Sequence, residues 1–106
     1  MAEQDIFRAL EIFVKSRDWE QFHTMENLSK SISIESAELL ELFQWGQQID
    51  RNELADELAD VLTYCYLLAK KLELSPESII LSKLEKSSSK YPVDKSKGLS
   101  TKYDRL

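Results

Sequence analysis

Residues 24–45 read TMENLSKSISIESAELLELFQW, and where this stretch puts its apolar and acidic side chains decides the fold. At ~100° per residue, Leu28, Ile32, Leu39 and Leu42 all fall within about 60° of Glu35 on a helical wheel. Glu35 is therefore expected in the middle of an apolar stripe, with Glu38 on its edge beside Trp45. Thr24 supplies an N-cap and Gly46 a natural stop, so the spacing predicts a helix running to about Trp45.

Downstream, residues 50–72 read DRNELADELADVLTYCYLLAKKL and repeat the arrangement. Asp50 with Glu53 resembles a capping box that opens a helix reaching about Leu72. Leu54, Val61, Tyr64 and Leu68 gather around Glu57, and Asp60 stands at the stripe edge. Upstream, Ile6, Leu10, Phe13 and Val14 predict a first helix over 4–16, followed by RDWEQFHT at 17–24 as an ordered loop. Ser75-Pro76 opens a fourth helix expected to end in the serine run at 87–89. Two Gly, two Pro and no strand-like alternation make the class all-α, a four-helix bundle. One domain is expected over 1–92, with 93–106 as an extended or disordered C-terminal arm.

Four acids, two from each central helix, thus point where the leucines point. Carboxylates withdrawn from water without partners cost several kcal/mol each, and four together also repel. Lys30, Arg51, Lys70 and Lys71 lie at the helix ends and are poor partners. A divalent cation is the economical answer, and an all-oxygen set favours Mg²⁺, Mn²⁺ or Ca²⁺ over zinc or copper. Glu53 is a further candidate ligand, while Glu41 and Asp56 point toward solvent. A di-iron bundle would need two Glu-x-x-His motifs, and the single histidine, His23, lies in the loop.

Mg²⁺ on carboxylates with open positions commonly carries substrate phosphates and an acidified water. No glycine-rich phosphate loop is present, and one histidine cannot build a nucleophilic triad, so water is the expected nucleophile. Trp19, Phe22, His23, Trp45 and Tyr64 surround the acidic pairs in sequence and are candidates to stack on a base.

The formal charge of −5 argues against a protein that coats nucleic acid. It is uneven: from Lys83 onward seven Lys/Arg face three Asp/Glu, against seven and sixteen before it. The lone Cys65 fits a reducing compartment. The first residues lack a basic and an apolar signal region, and the stretch 61–69 is too short to span a bilayer. A soluble, cytoplasmic protein with no membrane partner is expected.

Glu35-Ser-Ala-Glu38 followed by Glu57-Leu-Ala-Asp60 resembles the paired acidic motif of the MazG-like all-α nucleotide pyrophosphohydrolases. The words RDWEQFHT at 17–24, NLSKSISIESAELLELFQW at 27–45, DELADVLTYCYLLA at 56–69 and KLEKSSSKYP at 83–92 resemble its dCTP pyrophosphatase-like branch. The resemblance spans roughly residues 5–92 and implies a MazG-like bundle assembled as a dimer or dimer of dimers. It implies Mg²⁺, with Mn²⁺ as a substitute, on Glu35, Glu38, Glu57 and Asp60, and catalysis by the same acids. It also implies substrate contacts from Trp19, Glu20, Gln21, Phe22, His23, Trp45 and Tyr64. The implied reaction converts a (d)NTP and water to the monophosphate and diphosphate, on dCTP-like or modified dNTPs, as nucleotide-pool cleaning. Two departures stand out: Leu10 occupies a position where relatives can carry a polar or His side chain, and the 46–52 loop is short. The competing readings are a non-catalytic helical regulatory module and a pyrophosphohydrolase of another metabolite such as phosphoribosyl-ATP. The four retained acids weigh against the first, and the aromatic loop against the second.

Overall fold

The structure, a computed structural model, describes residues 2–46 and 48–106. Met1 and Gln47, the latter inside the 46–52 loop, lie outside the described residues. The described residues are helical with no strand, and the chain divides into two compact units, Met1–Leu74 and Ser75–Leu106.

The first unit holds α1 (Glu3–Ser16), α2 (Met25–Glu41) and α3 (Arg51–Lys71). α2 lies along α3, and α1 packs on α3 as well. Each helix gives one buried side chain to the core cluster: Val14 from α1, Leu28 from α2 and Leu67 from α3. Leu10, Tyr64 and Leu68 pack around them. The apolar stripes meet where their periodicity directs, because burying them is the main favourable term available to three amphipathic helices.

The caps are local and legible. Thr24 Oγ1 accepts from Asn27 N–H at 3.0 Å, and Asp50 Oδ1 accepts from Asn52 N–H at 2.8 Å. α1 and α3 end alike. Trp19 N–H reaches Val14 O and Asp18 N–H reaches Lys15 O, while Leu74 N–H reaches Ala69 O and Glu73 N–H reaches Lys70 O. Both are Schellman endings, built here on non-glycine residues at positive φ, Asp18 (54°) and Glu73 (57°). The first of them throws Trp19 back over α1, edge-on to Phe13 at 5.7 Å.

The loop after α1 is ordered, as the sequence predicts, and contains a 3-10 turn at Glu20–Phe22. Gln21 donates to Asp18 O at 2.9 Å, and Asn27 Nδ2 donates to Phe22 O at 3.0 Å, tying the loop to the start of α2. α2 stops sooner than its periodicity suggests. The α-helix ends at Glu41, and tighter turns follow, with Phe43 N–H on Leu40 O and Gln44 N–H on Glu41 O. Gly46, at φ 68°, then closes the run.

In the second unit, α4 (Pro76–Lys90) starts at Ser75, whose Oγ accepts from Ser78 N–H at 3.2 Å. It runs through the serines expected to end it, since Ser89 turns its hydroxyl onto Glu85 O inside the helix. The terminal segment carries a one-turn helix, α5 (Val93–Ser96), and a 3-10 turn at Tyr103–Arg105. Tyr91 meets Tyr103 edge-on, and Lys90 Nζ lies 4.6 Å from the Tyr103 ring centre.

Candidate functional site

α2 and α3 bring Glu35, Glu57 and Asp60 together, with one carboxylate oxygen from each within 4.8 Å of the others. Glu35 and Glu57 are half-buried and Asp60 is exposed. Glu35 Oε2 and Glu57 Oε2 are shut away from water, and neither has a hydrogen-bond partner among the described residues. Buried polar atoms are nearly always paired, so two orphaned carboxylate oxygens in one cluster need a group that none of the described residues supplies. A hard divalent cation fits this donor set and its spacing.

The electrostatics agree with the geometry. Burial pushes the Glu35 carboxyl up to about 7, helped by a hydrogen bond and the charge of Glu38, then by Asp60 and Glu57. Glu57 is also raised, first by burial and then by the charges of Glu38, Asp60, Asp56 and Glu41. Two neighbouring acids that both resist ionising are poised for a positive charge. Glu38, one turn past Glu35, is exposed and beside Glu35 but outside the three-carboxylate cluster. Glu53 is exposed and also outside it.

Glu35 and Asp60 form part of the wall of a cleft of about 380 Å³. Its other lining residues are Leu10, Phe13 and Val14 of α1, Trp19 and His23 of the loop, and Thr63, Tyr64 and Leu67 of α3. A volume of this size suits a small ligand, and the lining is mostly apolar with a few polar groups, as such sites require. His23 has its pKa lowered by burial, with Glu20 opposing and Lys71 reinforcing the shift. A second cleft of about 250 Å³ shares Leu10, Val14, His23 and Leu67 and is rimmed by Glu11, Lys15, Glu20, Lys70, Lys71 and Glu73.

Of the aromatic and loop residues singled out in the sequence, Trp19, His23 and Tyr64 line the acid-bearing cleft. Glu20 lines the second cleft, and Gln21 and Phe22 line neither. Trp45 follows the frayed end of α2, is 79% exposed, and lines neither cleft. Sequence reasoning passed over Phe13 and Thr63. Phe13 belonged to the α1 stripe, and nothing in the sequence revealed that the Schellman ending would fold Trp19 against it. Thr63 lies three residues past Asp60 and one before Tyr64, so its place on the acid-bearing side of α3 was readable.

Residues 30–106 match the model of the MazG-like family. The chain is similar to dCTP pyrophosphatase 1 of Rattus norvegicus, 37% identical over 97% of this chain and 66% of that protein. It is equally similar to the Homo sapiens protein of that name, 37% identical with the same coverage. It thus spans about 66% of the length of these curated relatives. Among solved structures, a pyrophosphatase from Archaeoglobus fulgidus matches with a TM-score of 0.78 and 40% identity, covering 84% of this chain and 91% of that one.

Proposed function

The chain belongs to the MazG-like family, and from that premise we propose that it hydrolyses a nucleoside triphosphate to the monophosphate and pyrophosphate. The observation that carries the proposal is the pair of orphaned carboxylate oxygens in a three-acid cluster beside an aromatic-lined cleft. Mg²⁺, with Mn²⁺ as substitute, is the proposed ion, held by Glu35, Glu57 and Asp60 with Glu38 as the fourth acid. When bound, it would neutralise triphosphate charge and acidify a water molecule.

The chain's own part is to hold and orient. Water oxygen bonds to the α-phosphorus, the bond from that phosphorus to the α–β bridging oxygen breaks, and pyrophosphate leaves. Glu38, exposed beside Glu35, is the proposed acceptor of the water's proton. Trp19, His23 and Tyr64 are the proposed contacts of the nucleoside within the cleft. Glu20, Gln21, Phe22 and Trp45 are further proposed contacts of the substrate. A cytosine deoxynucleotide is the proposed substrate, since the relatives above carry that name.

Self-association, as dimer or dimer of dimers, belongs to the same proposal. Leu40, Phe43 and Leu62 are 69%, 51% and 48% exposed, which is more apolar surface on one helix pair than a monomer usually leaves uncovered. Tyr66 is not part of that surface, because it is half-buried with its ring 5.8 Å from Phe7. A cytoplasmic location fits the single free thiol. Among the described residues no helix is long and apolar enough to cross a membrane. The test is pyrophosphate release from each common dNTP and NTP with Mg²⁺ present. Release from none of them would overturn the assignment.

A further inference from the structure

Thr63 has no part in the reading above, yet it lines the acid-bearing cleft. It stands three residues past Asp60, about 4.5 Å farther along α3, and next to Tyr64. If the phosphates lie at the acids, Thr63 borders the space that the nucleoside must occupy between them and the Trp19 ring.

Its hydroxyl proton is committed. Thr63 Oγ1 donates to Ala59 O at 2.8 Å, the back-bond of a helical threonine, so only oxygen lone pairs remain for a ligand. Among the other polar groups of the cleft, Tyr64 can turn its hydroxyl and His23 can exchange tautomers, so neither has a fixed polarity, and Trp19 can only donate. The carboxylates of Glu35 and Asp60 are taken up by the cation under the reading above. Thr63 is therefore the one neutral side chain of the cleft with a fixed polarity that asks the ligand for a donor.

We propose that the Thr63 hydroxyl is a specificity-determining group that accepts a hydrogen bond from the exocyclic amine of the base. Cytosine presents an amine where uracil and thymine present a carbonyl oxygen. A carbonyl facing the Thr63 oxygen meets lone pairs with lone pairs, and relieving that contact requires breaking the bond to Ala59. The hydroxyl thus discriminates between pyrimidines without any charged group. The inference rests on the nucleotide reading of the cleft but not on turnover.

It is tested by binding of the monophosphates dCMP and dUMP in Mg²⁺, followed by calorimetry, for the parent protein, Thr63→Val and Thr63→Ser. The parent should prefer dCMP by about tenfold or more, as expected when a polar group in a site is left unpaired by the wrong ligand. Thr63→Val keeps the shape and should bring the preference to within about twofold, while Thr63→Ser should retain it. Equal binding of dCMP and dUMP by the parent, no binding of either, or an unchanged ratio in Thr63→Val overturns the inference. So does an equal loss for both ligands in Thr63→Val, which would place the hydroxyl on the sugar. A parent that discriminates the monophosphates through Thr63 but releases no pyrophosphate would leave this inference standing and remove the proposed reaction.

Discussion

The α2–α3 pair carries two surfaces that break ordinary rules in opposite directions. On one, Glu35 and Glu57 hold carboxylate oxygens away from water with none of the described residues to pair them. On the other, Leu40, Phe43 and Ala37 line a shallow hollow that none of the described residues covers. Each departure is costly in a lone chain, the first through desolvation and repulsion, the second through exposed apolar area. The lesson is that a surface's unmet need has a chemical character. The first surface calls for a cation, and the second is the one assigned above to the proposed self-association.

The largest effect should come from removing the need on the first surface. Glu35→Gln or Asp60→Asn should lower turnover by about a thousandfold or more, as expected when a ligand of the ion that stabilises transition-state charge is lost. The helices should persist, since an amide at this place relieves repulsion. Circular dichroism with steady-state kinetics checks both halves, and a turnover within tenfold of the parent for both variants would break the distinction between the surfaces.

The second surface has its own test. Leu40→Asp should weaken self-association by on the order of a thousandfold, because burying a leucine is worth about 2 kcal/mol and a two-fold interface counts it twice. Sedimentation velocity at micromolar concentration should show a monomer where the parent shows an oligomer. The melting of the separated chain should change little, since the side chain is already exposed. A parent that sediments as a monomer would mean that this surface needs no cover.

Trp19 sharpens the boundary. Trp19→Ala should raise KM by about ten- to a hundredfold, the equivalent of one base-stacking contact. The loss in kcat should be smaller, because stacking is present in ground and transition states alike. A KM within twofold of the parent would make Trp19 a packing residue for Phe13.

The smallest expected effect is on stability against pH. Glu35 and Glu57 are raised in the fold, so the stability they contribute is present below the unfolded value of 4.5 and fades as pH rises, for Glu35 through about 7. Glu11 shifts the other way, held down by Lys15 and Lys70, and its contribution is lost only in more acid solution. In EDTA the melting temperature should therefore fall between pH 5.5 and 8, and Mg²⁺ should raise it more at pH 8. An equal gain from Mg²⁺ at both pH values would show that the ion does not compete with protons for these acids.

Much of this was legible in the sequence because it follows from helical periodicity and capping chemistry, which act within a few residues. The all-α class, the Thr24, Asp50 and Ser75 caps, and the shared face of Glu35, Glu57 and Asp60 depend on spacing alone. Contact between two helices was also implied, since each apolar stripe had to be covered. What the sequence could not decide was set by how chain ends turn and which neighbours they meet. The Schellman ending on Asp18, with no glycine to announce it, brings Trp19 to Phe13 and the cleft. The tighter turns after Glu41 leave Trp45 exposed, although its place on the helical wheel was beside Glu38. Glu38 stays outside the cluster for a related reason: a stripe edge on a wheel fixes direction, whereas ligand distance depends on how two helices cross. Local pattern determined which residues face inward, and only the tertiary packing determined which of them meet.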